Sequence, residues 1–190
     1  KGKSANADYG DVVEELDGRI GDLLKVLKEE ELEKNTIVVF MSDNGTEPGQ
    51  KKWGSGEPFR GLKWSALEGG TRVPCIIRFP DVIPAGEVTD KLTTAIDLLP
   101  TLAGACGIKL KEGPGIVPKI DGLNLWESLQ GKAKVHPRSN LLYWHGWAMP
   151  QAIRVGDWKL YLDKVKEIPG TNKAPVLIDL SKDPGEEKDL

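Results

Sequence analysis

Thr36-Ile37-Val38-Val39-Phe40-Met41 is an uncharged run of β-formers that leads directly into Ser42-Asp43-Asn44-Gly45. A continuous run of this kind is the mark of a strand buried on both faces, as in a parallel sheet flanked by helices. Upstream, apolar residues fall at Tyr9, Val12, Val13, Leu16, Ile20, Leu23, Leu24 and Leu27, with charges between them. That three-to-four spacing predicts an amphipathic helix. A charged connector, Lys28 to Asn35, joins the two. Helix, short connector and buried strand together read as α/β.

Downstream, Gly45 to Gly70 carries no clean period and holds seven glycines. A loop this long within a compact domain is usually functional or disordered. Val73-Pro-Cys-Ile-Ile-Arg-Phe79 follows as a second buried-strand candidate, and Ile96 to Gly107 reads as a short helix. In that helix Pro100 is tolerable only in the first turn, and Gly107 marks the end. The stretch from Gly113 to Pro118 is rich in proline and glycine and is the expected boundary between an α/β portion, 1–112, and a small α+β portion, 113–190. In the second portion Leu123 to Gln130 reads as a short helix. The runs ending in His145, Val155, Leu162 and Leu180 read as short strands of an antiparallel sheet, with Gly156-Asp157 as a hairpin turn.

Composition excludes several functions. A net charge of -3 with scattered basic residues gives no stripe for nucleic acid. No apolar run approaches ~18 residues, so no membrane span is expected. Two cysteines and two histidines, far apart, do not make a zinc site of the usual spacing. Cys75 and Cys106 read as small buried hydrophobes, and a disulfide between them cannot be deduced from sequence.

Chemistry concentrates at the strand end. In open α/β sheets ligands bind beyond the carboxyl ends of strands. Asp43 offers a carboxylate and Asn44 an amide oxygen, donors that suit calcium or magnesium; Asp-Asn-Gly is also an ordinary turn. Lys63 in the long loop is either a solvated surface charge or, near a divalent cation, an anchor for an anionic ester. Trp53 and Trp64 in the same loop could wall an aryl or sugar group or pack in the core. Trp126, Trp144, Trp147 and Trp158 read as core. His145 reads as a substrate contact or a hairpin-edge histidine, and His136 as solvent-exposed.

Several motifs, taken in order, carry a resemblance. Ser42-Asp-Asn-Gly45, the Gly-rich loop, and Arg60-Gly-Leu-Lys63 leading to Glu68-Gly-Gly-Thr-Arg72-Val-Pro74 resemble a paired signature of the sulfatases in the alkaline-phosphatase superfamily. Asp97-Leu-Leu-Pro-Thr101, Asp121-Gly-Leu-Asn-Leu125, Ala152-Ile-Arg-Val-Gly-Asp-Trp-Lys159, and Leu177-Ile-Asp-Leu180 with Asp183-Pro-Gly-Glu186 are similar to further family elements. The resemblance implies a C-terminal portion of that fold, a mixed or parallel sheet flanked by helices followed by the small antiparallel subdomain. It implies that Asp43 and Asn44 are metal ligands and that Lys63 contacts the sulfate of a sulfate-ester substrate. Arg60 is read as a structural ion pair or an anion contact, and Glu68 with Arg72 as a structural pair.

The family's nucleophile is a formylglycine made within a Cys- or Ser-x-Pro-Ser-Arg type stretch, and no cysteine or serine here begins one. This chain alone is therefore expected to be inactive, and to bind calcium weakly with only two of its ~6–8 oxygens. A phosphodiesterase or phosphonate hydrolase of the same superfamily, or a non-catalytic binding module, are the rival readings. Asn44 favours sulfate esters, because many phosphoester relatives carry histidine after the aspartate. The resemblance further implies a periplasmic, secreted or lysosomal location. A sheet edge left open in this portion would be hidden by a homodimer.

Overall fold

In a computed structural model, which describes residues 2–111, 113, 119–145, 149–162 and 175–190, the expected first helix is α1, Ala7–Glu29. Asp8 in its first turn and Lys28 in its last complement the helix dipole. Exposed i,i+4 pairs, Arg19–Glu15 at 3.6 Å and Lys25–Glu29 at 3.7 Å, decorate its polar side. Of the expected apolar stripe, Tyr9, Val12, Val13, Leu16 and Leu23 are exposed, and Ile20, Leu24 and Leu27 are half-buried.

Strand β1, Val38–Met41, pairs antiparallel with β2, Cys75–Arg78, in the register Val38 opposite Arg78 and Met41 opposite Cys75. Arg78 Nη2 reaches Glu33 Oε2 at 2.9 Å and ties β2 to the turn before β1. The expected burial on both faces is corrected here. Phe40 and Ile76 are exposed, whereas Val38, Val39, Met41 and Ile77 are half-buried, so the ribbon is covered in part and on no strand completely. Of the mixed sheet expected, the described residues hold this antiparallel pair.

The second sheet has the order β3-β4-β5-β6, with β3 Asn140–His145, β4 Met149–Val155, β5 Trp158–Tyr161 and β6 Val176–Asp179. Gly156 has φ +58, as the tight β4–β5 turn at Gly156-Asp157 requires. Strand alternation puts Lys159 and Tyr161 of β5 inside and Trp158 outside. Tyr161, Val176, Ile178 and Ala152 are fully buried, as is Leu67.

The chain forms two compact units. One comprises Lys1–Phe79, Leu142–Ile153 and Asp157–Leu190; the other comprises Pro80–Leu141 and Arg154–Gly156. The Pro/Gly-rich stretch on which a division at 112/113 rests lies, except for Gly113, outside the described residues.

Within the second unit a 3₁₀ turn, Ala95–Asp97, runs into α3, Leu98–Ala105. Asp97 is buried and binds Arg138 in two-pronged fashion, Oδ2 to Nε at 2.7 Å and Oδ1 to Nη2 at 2.6 Å. Its carboxylate also accepts the Leu123 N–H at 2.7 Å, and Thr101 Oγ1 accepts the Leu125 N–H at 2.9 Å. The Asp97–Thr101 and Asp121–Leu125 motifs are thus one interlock, in which side chains of the first satisfy the backbone of the second. Helix α4 is Trp126–Leu129. Both cysteines are free and exposed, which corrects their expected burial. His136 is half-buried rather than solvated, with Nε2 bound to the Leu92 carbonyl at 2.7 Å.

Candidate functional site

Strand β1 ends at Met41, and the next four residues turn on local hydrogen bonds. Ser42 Oγ donates to the Asn44 carbonyl at 2.9 Å, and the Asn44 N–H donates to Asp43 Oδ1 at 2.9 Å. Asn44 Nδ2 donates to the Gly45 carbonyl at 3.1 Å, which fixes the amide group while spending only its nitrogen. Asp43 is exposed and Asn44 half-buried. The turn therefore presents a carboxylate and an amide oxygen beyond the strand's carboxyl end.

The Lys63 loop is fastened to this turn by main-chain bonds. The Gly45 N–H donates to the Gly70 carbonyl at 3.0 Å, and the Lys63 N–H donates to the Thr46 carbonyl at 3.0 Å. Glycine is obligatory at position 45, since a Cβ there would lie 1.8 Å from the Gly69 carbonyl oxygen. The structure thus brings the Lys63 loop to the Asp43-Asn44 turn, although Lys63 lies 19 positions after Asn44. Lys63 Nζ pairs with Glu47 Oε2 at 3.2 Å, with 30% of the lysine side chain and 52% of the glutamate side chain exposed. Pairs this exposed contribute about 0–1 kcal/mol, so an incoming anion can replace Glu47.

Behind the loop lies a buried ionic cluster that sequence reasoning did not find. Helix α2, Glu68–Thr71, begins with a buried Glu68. Lys159 Nζ lies 2.9 Å from Glu68 Oε1, 3.0 Å from Glu186 Oε1 and 2.7 Å from the Ala66 carbonyl, and the lysine is wholly buried. Glu186 Oε2 accepts the Glu68 N–H at 2.6 Å, and Glu186 Oε1 accepts the Tyr161 hydroxyl at 2.5 Å. The Tyr143 ring stacks under Lys159 Nζ at 4.4 Å. Burial, and then the neighbouring Glu186 carboxylate, push the Tyr161 phenol far above its ordinary value, so it stays a neutral donor. Arg72, expected to pair with Glu68, does so at 3.7 Å from the half-exposed side. The cluster carries two carboxylates against one fully buried cation, with Arg72 as partial counterweight.

Arg60 Nη1 donates to the Glu186 carbonyl at 3.2 Å, which turns it toward the chain's tail. His145 ends β3, and its side chain lies outside the described residues, as does Trp147. Trp144 and Trp158, expected in the core, are exposed. Among the described residues no group of three or more His, Cys, Asp or Glu is arranged to hold a metal ion. Asp43 and Asn44 fit a hard cation in donor type and fall short in number.

A family model described as Sulfatase matches residues 3–108. The chain is 32% identical to the steryl-sulfatase of Homo sapiens, over 100% of this chain and 37% of that protein. It is 31% identical to the N-acetylgalactosamine-6-sulfatase of Sus scrofa, over 97% of this chain and 39% of that protein. A solved structure described with the metabolism of multiple glycosaminoglycans by Bacteroides thetaiotaomicron superposes with a TM-score of 0.82 at 30% identity, over 99% of this chain and 42% of that one. The chain spans little more than a third of the length of these curated relatives.

Proposed function

This chain belongs to the sulfatase family, and from that premise we propose that it is the C-terminal portion of a sulfuric-ester hydrolase, supplying two metal-ligand oxygens and the sulfate-binding lysine. The observation that supports this most is the pair of main-chain bonds, Gly45 to Gly70 and Lys63 to Thr46, that fastens the lysine loop to the Asp43-Asn44 turn.

When bound, a divalent cation, calcium or magnesium, supplies neutralisation of the sulfate oxygens and activation of the nucleophile, and Asp43 and Asn44 would furnish two of its oxygens. Lys63 exchanges its exposed partner Glu47 for the ester's sulfate and helps to stabilise the departing oxygen. Arg60 acts from behind, holding the Glu186 carbonyl. His145, at the end of β3, is a candidate substrate contact. The family's formylglycine has no counterpart in the 190 residues, which contain no Cys- or Ser-x-Pro-Ser-Arg type stretch.

The family resemblance supports a periplasmic, secreted or lysosomal location; no described helix is long and apolar enough to cross a membrane. The open β1–β2 ribbon supports self-association through its edge. Light scattering at micromolar concentration should find a dimer; a monomer at that concentration would remove this part of the reading.

The test is an assay of the 190-residue chain with an aryl sulfate and calcium, beside a binding titration. No turnover above a Lys63→Ala control is expected, while inorganic sulfate should bind the parent chain, shifting its Lys63 signals, and bind the Lys63→Ala chain at least about tenfold more weakly. Turnover by the parent chain, or sulfate binding that survives Lys63→Ala, would overturn the assignment. Tighter binding of phenyl phosphate than of phenyl sulfate would transfer the reading to a phosphoester hydrolase of the same superfamily.

A further inference from the structure

Leu62-Lys63-Trp64-Ser65 is a tight turn, closed by the Ser65 N–H donating to the Leu62 carbonyl at 2.9 Å. Trp64 occupies its third position with φ +79, while Lys63 before it is not in the positive-φ region. That is the backbone of a type II turn, whose third residue is ordinarily glycine. A bulky side chain in this region is a genuine outlier that costs free energy. The strained residue is also 80% exposed, the most exposed tryptophan among the described residues. Its burial in the fold thus does not offset the strain.

The strained turn places the ring beside an ammonium. The Trp64 ring centroid lies 5.2 Å from Lys63 Nζ. The turn beneath both is held by the Lys63–Thr46 main-chain bond, so the two side chains start from one anchored backbone. A sulfate oxygen accepting from Nζ would sit about 2.8 Å from it. A group esterified to that sulfate could then meet the indole face at a contact distance of about 3.5–4 Å.

We propose that Trp64 is a specificity-determining residue, a stacking platform that favours sulfate esters carried on a ring over those carried on a flexible alkyl chain. This rests on Lys63 as the sulfate contact. The indole provides a flat apolar surface for a ring face, and Lys63 sets the distance at which that ring is presented. Trp64 selects among esters, and Lys63 selects for the anion.

The experiment uses the 190-residue chain, with the Trp64 indole resonance assigned through Trp64→Phe. Four probes are titrated: inorganic sulfate, methyl sulfate, p-nitrophenyl sulfate and glucose 6-sulfate. Inorganic and methyl sulfate should shift the Lys63 signals and leave the indole in place. At least one ring-bearing ester should shift both, and bind about fivefold or more tightly than methyl sulfate. In Trp64→Gly that preference should vanish while the melting temperature stays level or rises, because glycine relieves the left-handed backbone. Trp64→Phe should keep most of the preference. A Trp64→Gly chain that still prefers ring esters, or that melts markedly lower, overturns the platform and makes Trp64 a structural residue. Lys63 responding to sulfate with the indole indifferent to every ester sinks the platform alone. A Lys63 that ignores all four probes sinks the sulfate assignment and the platform with it.

Discussion

Two lysines, each in a family motif, stand in opposite physical situations. Lys159 is wholly buried, touches two carboxylates and a carbonyl within 3.0 Å, and has an aromatic ring beneath its ammonium. Lys63 keeps 30% of its side chain in solvent and pairs with one half-exposed glutamate. A motif match treats the two alike. Burial and partner number separate them: the ammonium sealed by its own chain is a fastener, and the one loosely held is available to a ligand. The fastener also reaches the proposed ligand site, because Lys159 grips the Ala66 carbonyl three residues after Lys63.

The harshest way to break this contrast is Lys159→Ala. Two buried carboxylates would lose their cation, and the cost should be about 3–5 kcal/mol, read by urea denaturation; a cost below ~1 kcal/mol would mean the cluster is wetter than described. Asp97→Ala, which strands the buried Arg138 in the other unit, should cost about 3 kcal/mol on the same logic. Tyr161→Phe is milder, removing a single donor to Glu186, and should cost about 1–2 kcal/mol. At the open lysine, Glu47→Ala should change stability by less than ~0.5 kcal/mol. It should also tighten sulfate binding by freeing Lys63. A large loss of stability there would make Lys63 a second fastener and erase the contrast.

Local periodicity carried much of the fold into view. The 3.6 spacing from Tyr9 to Leu27 is α1, and Gly156-Asp157 is the β4–β5 turn. The position of the Asp43-Asn44 turn at a strand end was equally legible, because the apolar run stops at Met41. The direction of β1–β2 pairing was not, since it depends on a partner strand whose nearest paired residue, Cys75, lies 34 positions after Met41 across a loop with no period. The ionic cluster was hidden for the same reason: Glu68 meets Lys159 and Glu186 across 91 and 118 residues. A signal was nonetheless present. Trp158-Lys159-Leu160-Tyr161 alternates, and if Tyr161 points inward then so does Lys159, leaving Trp158 outside. Side-chain hydrophobicity argues for the reverse, and the paired carboxylates decide it by neutralising the lysine.

The contrast between the two lysines is tested most directly by measuring how fast each reacts with an amine-selective reagent in the native chain, by mass spectrometry, with and without sulfate. Lys63 should be labelled readily and protected by sulfate, while Lys159 stays unlabelled until the chain unfolds. Labelling of Lys159 at the rate of Lys63, or a Lys63 rate that sulfate leaves unchanged, would contradict the account.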